Sequence, residues 1–198
     1  MGVCMNQKTY ENYIILLIGF AGTGKRTVGE ALASETHFRF SHQHSWYDPI
    51  LNLLGEDYKV WWEINEKGWE KLNAVRDVIF STITDVCSPS SNFIISHEMI
   101  DKDPYHKILY NKVLDMVEKR HAHFLPIRLI CEENELVKRV QAEDRKKYFK
   151  NRDAEFIRKR RHEHEVFRTN HPHEITIDTT HKSPDEVVKI IIEKLNSL

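Results

Sequence analysis

The chain is 198 residues long, 40% apolar and 30% charged, with a formal net charge of −1. This length fits one domain, 1–198, with a sizeable core, and the composition excludes an intrinsically disordered chain. So small a net charge gives no overall attraction to nucleic acid or a membrane surface, and any electrostatic steering has to come from local patches.

Residues 1–13 carry no apolar h-region, so no signal peptide is expected, and the apolar run that follows is too short to span a bilayer. Cys4, Cys87 and Cys131 are odd in number and lack CxxC spacing. That argues against a disulfide framework or zinc ribbon and for the reducing cytoplasm. The run Tyr13 to Ile18 predicts a strand and leads into Gly19-x4-Gly24-Lys25, then Arg26 and Thr27, then a helical pattern from residue 25 to 35. Strand, glycine-rich loop and helix in this order form a phosphate-binding P-loop. Its backbone N–H groups can curl around a phosphate where the helix N-terminus adds positive dipole, and Lys25 reaches the outer phosphates. Gly19, Gly22 and Gly24 allow the close backbone approach that side chains would block, while Ala21 and Thr23 complete the loop. The residue after the lysine is normally Ser or Thr, whose hydroxyl binds Mg²⁺. Here it is Arg26, and Thr27, one step on, is a weak substitute ligand.

Further strands are expected at 37–40, 92–96, 124–131 and 174–177, and helices at 60–86, 104–121, 133–143, 153–167 and 184–196. Strands alternating with helices predict a three-layer α/β/α fold around a five-stranded, mainly parallel sheet, with ligands at the carboxyl ends of the strands. No internal repeat or linker divides the chain. Each strand end is therefore a candidate wall of the site. The second is followed by a loop, SHQHSWYDPI from Ser41 to Ile50, which offers His44, Trp46 and Asp48 to an acceptor substrate. The third ends in Ser96-His97-Glu98-Met99. Asp48 and Glu98 are the carboxylates nearest the expected site, and either could take a proton from a substrate hydroxyl or hold waters around Mg²⁺.

After the fourth strand comes an arginine-rich stretch with Arg139, Arg145, Arg152, Arg158, Arg160 and Arg161. Phosphoryl transfer asks for cations around a trianionic group, and a basic helical lid at about 139–165 would supply them, with Arg139 and Arg145 first after the strand. Acidic residues interrupt the stretch and aromatics are sparse, which argues against an RNA surface. Twelve histidines include the pairs His42/His44, His162/His164 and His171/His173, without a matching Cys or carboxylate set for a transition metal. Trp61, Trp62 and Trp69 fall at helical spacing, as packing residues do. A GTPase would need an Asn-Lys-x-Asp motif, and Asn111-Lys112-Val113-Leu114-Asp115 has one residue too many.

The stretches GFAGTGKRTVGEALA, LICEENELVKRV with the arginines after it, and ITIDTTHKSPDEVVKIII together resemble the small P-loop kinases. The nearest group is the shikimate-kinase-like and chloramphenicol-phosphotransferase-like ATP-dependent phosphotransferases, and the resemblance covers most of the chain. It implies a nucleoside-monophosphate-kinase-like fold, ATP and Mg²⁺ as cofactors, and transfer of the γ-phosphate to a hydroxyl of a small metabolite or nucleotide. It also implies that Asp178 and Thr179 lie against the adenine, that Arg139 or Arg145 contacts the phosphates or the base, and that His44 and Asp48 serve the acceptor. Shikimate kinases carry Asp-x-Asp near the second strand and Gly-Gly-Gly after the third. This chain has SHQHSWYD and SHEM there, so shikimate is not the expected acceptor. A nucleotide-binding sensor or scaffold with little chemistry is the other reading, and Arg26 favours it. No sequence feature specifies the acceptor or the oligomeric state.

Overall fold

The computed structural model describes residues 10–54, 64–142 and 152–198. Trp61, Trp62 and Arg145 lie outside the described residues, as does the 143–151 part of the expected lid. Five strands form one parallel sheet in the order β2-β3-β1-β4-β5. They are β1 (Tyr13–Ile18), β2 (Arg39–His42), β3 (Phe93–His97), β4 (His123–Ile130) and β5 (Ile175–Asp178). The helices are α1 (Lys25–Thr36), α2 (Gln43–Leu54), α3 (Glu66–Ser81), α4 (Pro104–Arg120), α5 (Glu133–Val140), α6 (Ala154–Glu163) and α7 (Pro184–Asn196).

The central strand β1 reads YIILLI and is buried at every position. Alternate side chains point to opposite faces, so an all-apolar run is what a strand covered on both sides requires. Ile14, Leu16 and Ile18 join Phe93 and Ile95 beneath Leu72 and Phe80 of α3, Leu109 and Val113 of α4, and Leu136 of α5. Tyr13, Ile15 and Leu17 face the other layer, where α1 and α7 contribute Val28, Leu32, Val187, Ile191 and Leu195. Each fully buried Ile or Leu here contributes about 1.5–3 kcal/mol relative to exposure. The three-layer α/β/α architecture is as the sequence predicts.

Helix starts are written in side chains. Asp103 accepts from Tyr105 N–H at 2.9 Å with Pro104 behind it, and Asp153 caps α6. Ser183 and Glu186 form a capping box at α7.

Several boundaries depart from the sequence expectation, among them the ends of α5 at Val140 rather than 143 and of α6 at Glu163 rather than 167. His37 is a left-handed cap that ends α1, which moves β2 on to Arg39–His42. The expected loop at 41–50 is instead mostly α2, despite Pro49 inside it. An interior proline costs about 3 kcal/mol, and burial of Trp46, Tyr47 and Leu51 on one face offsets it. The expected long helix to residue 86 ends as α3 at Ser81 and continues as a π-helical turn, Thr82–Val86. There Thr82 and Thr84 hydroxyls donate back to Val78 O and Phe80 O, bonding that competes with regular helix.

Candidate active site

The chain leaves β1 at Gly19, where an added Cβ would lie 2.5 Å from the Leu129 carbonyl oxygen and 2.5 Å from Thr23 Oγ1. Backbone cannot retreat from such a contact, so this corner admits only glycine. Gly22 and Gly24 then adopt φ of +89° and +88°. Thr23 closes the loop, its N–H and hydroxyl donating to Phe20 O at 3.2 and 2.9 Å. Gly24 is the N-cap residue of α1, and no side chain caps the helix's first N–H groups. Open donors plus the helix dipole make an anion cradle. Lys25 Nζ donates to Gly19 O and Phe20 O at 2.8 Å each, folded over the loop.

The loop forms one wall of a cleft of about 420 Å³ at the carboxyl edge of the sheet. Ala21, Gly22, Thr23, Gly24, Lys25, Arg26 and Thr27 all line it. Arg26 Nε donates to Glu30 Oε1 at 2.7 Å, one turn along α1. At one end sit Arg139 and Thr179. Arg139 NH2 donates to Thr179 O and Thr180 O at 2.8 and 3.1 Å, and its Nε donates to Glu135 at 2.9 Å. Its donors therefore tie α5 to the turn after β5, and the planar face of the guanidinium is what it can offer a base.

At the other end, His44 and Glu98 line the cleft. His44 Nδ1 lies 2.9 Å from Asp48 Oδ1. A carboxylate only accepts, so Nδ1 carries the proton and Nε2 is the basic nitrogen. Glu98 Oε1 accepts from Arg160 Nε at 3.0 Å, and Arg161 lies over the Phe20 ring at 5.3 Å. Helix α6 thus docks two arginines onto the ends of β3 and β1. Behind this wall runs a buried polar chain. His97 Nδ1 donates to Glu98 O at 2.7 Å, Tyr47 hydroxyl contacts His97 Nε2 at 3.5 Å and Tyr105 hydroxyl at 3.2 Å, and Arg76 donates to Tyr105 at 3.0 Å. Burial, with His106, Lys25 and Arg76 nearby, pushes the His97 imidazole down to about 3, so it is neutral. Burial likewise pushes the Tyr47 phenol up.

Three sequence-designated residues sit off the cleft. Trp46 is in the core against Phe80, its indole N–H donating to Ser41 Oγ at 2.8 Å. Asp48 reaches the cleft through His44. Asp178 accepts from the Thr180 hydroxyl and N–H, which hold its carboxyl below the usual range. Conversely, Gln43 belongs to the site without being singled out by the sequence, and Arg160, named there only as one of the lid arginines, is the one that meets Glu98. Helical spacing of Gln43, Trp46, Tyr47 and Leu51 is the signal that could have revealed the first. No cluster of three or more His, Cys, Asp or Glu suited to a metal occurs among the described residues, and no described helix is long and apolar enough to cross a membrane.

No family model matches the sequence, and no curated protein does. Solved structures do match. A candidate kinase from Chloroflexus aurantiacus superposes with a TM-score of 0.67 at 16% identity, covering 96% of this chain and 99% of its own. A gluconokinase from Sinorhizobium meliloti gives 0.60 at 15%, covering 95% and 94%. The chain has a P-loop kinase-like fold. A shikimate kinase from Acinetobacter baumannii, solved with shikimate, shares this kinase-like fold at a TM-score of 0.53 and 18% identity, covering 96% and 94%. At such identities the likeness speaks for the fold alone.

Proposed function

We propose that this protein is an ATP-dependent phosphotransferase that moves the γ-phosphate of ATP onto a hydroxyl of a small metabolite or nucleotide. The observation that carries this reading is the phosphate cradle. A Cβ-excluding corner at Gly19, left-handed Gly22 and Gly24, uncapped α1 N–H groups and the buried Lys25 ammonium face the same cleft as a group able to accept a proton. The loop and Lys25 hold the β- and γ-phosphates, and the face of Arg139 with Thr179 receives the base. On the acceptor side His44, steered by Asp48, takes the hydroxyl proton as the oxygen attacks phosphorus, while Glu98, held by Arg160, orients the acceptor.

The cradle fits nucleotide phosphates. For Mg²⁺ the fit is looser, since a guanidinium at Arg26 has no lone pair to give. The cation would be held by phosphate oxygens, water, Glu98 and Thr27, and it would neutralise charge on the transferring phosphoryl group. Cytoplasmic residence accords with this reading.

The second reading, a nucleotide-binding sensor or scaffold, rests on Arg26 paired to Glu30 where the Mg²⁺-binding hydroxyl normally stands. Incubation with γ-phosphate-labelled ATP, Mg²⁺ and a panel of hydroxylated metabolites and nucleotides separates the two. Label appearing on an acceptor supports the kinase. Calorimetric ATP binding with no label transferred and no ADP formed supports the sensor.

A further inference from the structure

Gln43, the first residue of α2, is 7% exposed and lines the same cleft as the phosphate loop. Its Oε1 accepts the backbone N–H of Glu98 at 2.6 Å, across 55 positions of sequence. A backbone N–H can only donate, so the amide orientation is determined: oxygen toward Glu98, NH2 away from it. That NH2 has no hydrogen-bond partner among the described residues. It lies open to the cleft, where a ligand oxygen can accept from it. The register pairs His97 with Ile18, so the Glu98 peptide runs beside Gly19, whose carbonyl holds the Lys25 ammonium. The Gln43 amide therefore enters the cleft next to the lysine side of the loop.

We propose that Gln43 is a binding residue for the terminal phosphate of a nucleoside triphosphate. This rests on the nucleotide reading of the cleft. The backbone cradle and Lys25 approach the phosphates from the loop, and the NH2 of Gln43 donates to a γ-phosphate oxygen from α2. A diphosphate has no γ-phosphate to present to this amide. Because the same amide accepts from Glu98 N–H, a bound γ-phosphate polarises that bond and tightens the end of β3, where Glu98 meets Arg160. The site thus distinguishes triphosphate from diphosphate.

Calorimetric titration of the full chain with a non-hydrolysable ATP analogue and with ADP, both with Mg²⁺, tests this in the wild type, Gln43→Glu and Gln43→Met. Gln43→Glu keeps an acceptor for Glu98 N–H and replaces the NH2 with an anionic oxygen. The triphosphate is expected to bind it at least about tenfold more weakly than wild type, with ADP affinity changed less than about twofold. Gln43→Met, similar in length and lacking the donor, is expected to lose triphosphate affinity in the same sense but by less. Thermal melts check that each variant is folded, and either one suffices if the other is not. Equal triphosphate-to-diphosphate ratios in the folded variants and wild type overturn the proposal, and a raised acceptor KM with that ratio unchanged reassigns the amide to the acceptor. If the wild type binds neither nucleotide, the nucleotide reading itself fails, a distinct result.

Discussion

His44 Nδ1 and Asp48 Oδ1 lie 2.9 Å apart, one turn along α2, with His44 on the cleft wall and Asp48 behind it. The aspartate directs the basic nitrogen away from itself, and the two groups act as a unit. His44→Ala is expected to lower kcat about 10²- to 10⁴-fold. Asp48→Asn should show a loss of similar kind, and the double variant should match His44→Ala within about threefold. ADP release in a coupled assay measures all three. Multiplicative losses would mean that the pair does not act as one group.

Arg26 offers a sharp test of the metal site. Arg26→Ser restores a hydroxyl after Lys25 and removes a fixed charge from the cleft. Turnover should rise and half-saturation should need less Mg²⁺, read from a Mg²⁺ titration of initial rates. An unchanged titration would say that the metal never relied on this position.

Arg120 is a structural counterpart. Its guanidinium donates to the carbonyls of Ile83, Cys87, Ser88, Pro89 and Ser91, holding the π turn and the connection into β3. Arg120→Met leaves those carbonyls unpaired and should destabilise the fold by about 3 kcal/mol. Urea unfolding gives the number, and a loss below about 1 kcal/mol would contradict the assignment.

Acid sensitivity follows from His97. Its ordinary value is 6.5 and burial lowers it to about 3, so below 6.5 the unfolded chain binds a proton that the folded one refuses. Stability is present above 6.5 and is lost as pH falls toward 3. His106, lowered mainly by burial, acts in the same direction. Asp77 and Asp178, also lowered, cost stability only below their ordinary 3.8. The urea midpoint should fall between about pH 7 and about pH 5, and by less in His97→Gln. Equal slopes would remove His97 as a cause.

The sheet was legible because a parallel strand buried on both faces has to read as YIILLI does, and the phosphate loop because its backbone conformation demands glycine. Helix α2 was not, because Pro49 disguises a helix that tertiary burial of Trp46 and Tyr47 sustains. Gln43, and the pairing that picks Arg160 out of the lid arginines, were illegible for another reason. Each acquires its role from Glu98, whose distance in sequence leaves no local mark. Nearness to the strand directs attention instead to Arg139, which the structure engages with the turn at Thr179 and Thr180, and to Arg145, which lies outside the described residues.

The central claim, phosphoryl transfer from ATP in the Gly19–Lys25 cradle, is tested most directly by Lys25→Ala. The ammonium is the only side-chain cation folded onto the loop carbonyls of Gly19 and Phe20 among the described residues. With the fold verified by circular dichroism, ADP formation in the presence of Mg²⁺ and a responsive acceptor should fall at least about a hundredfold. Full retained activity in the folded variant would contradict the account.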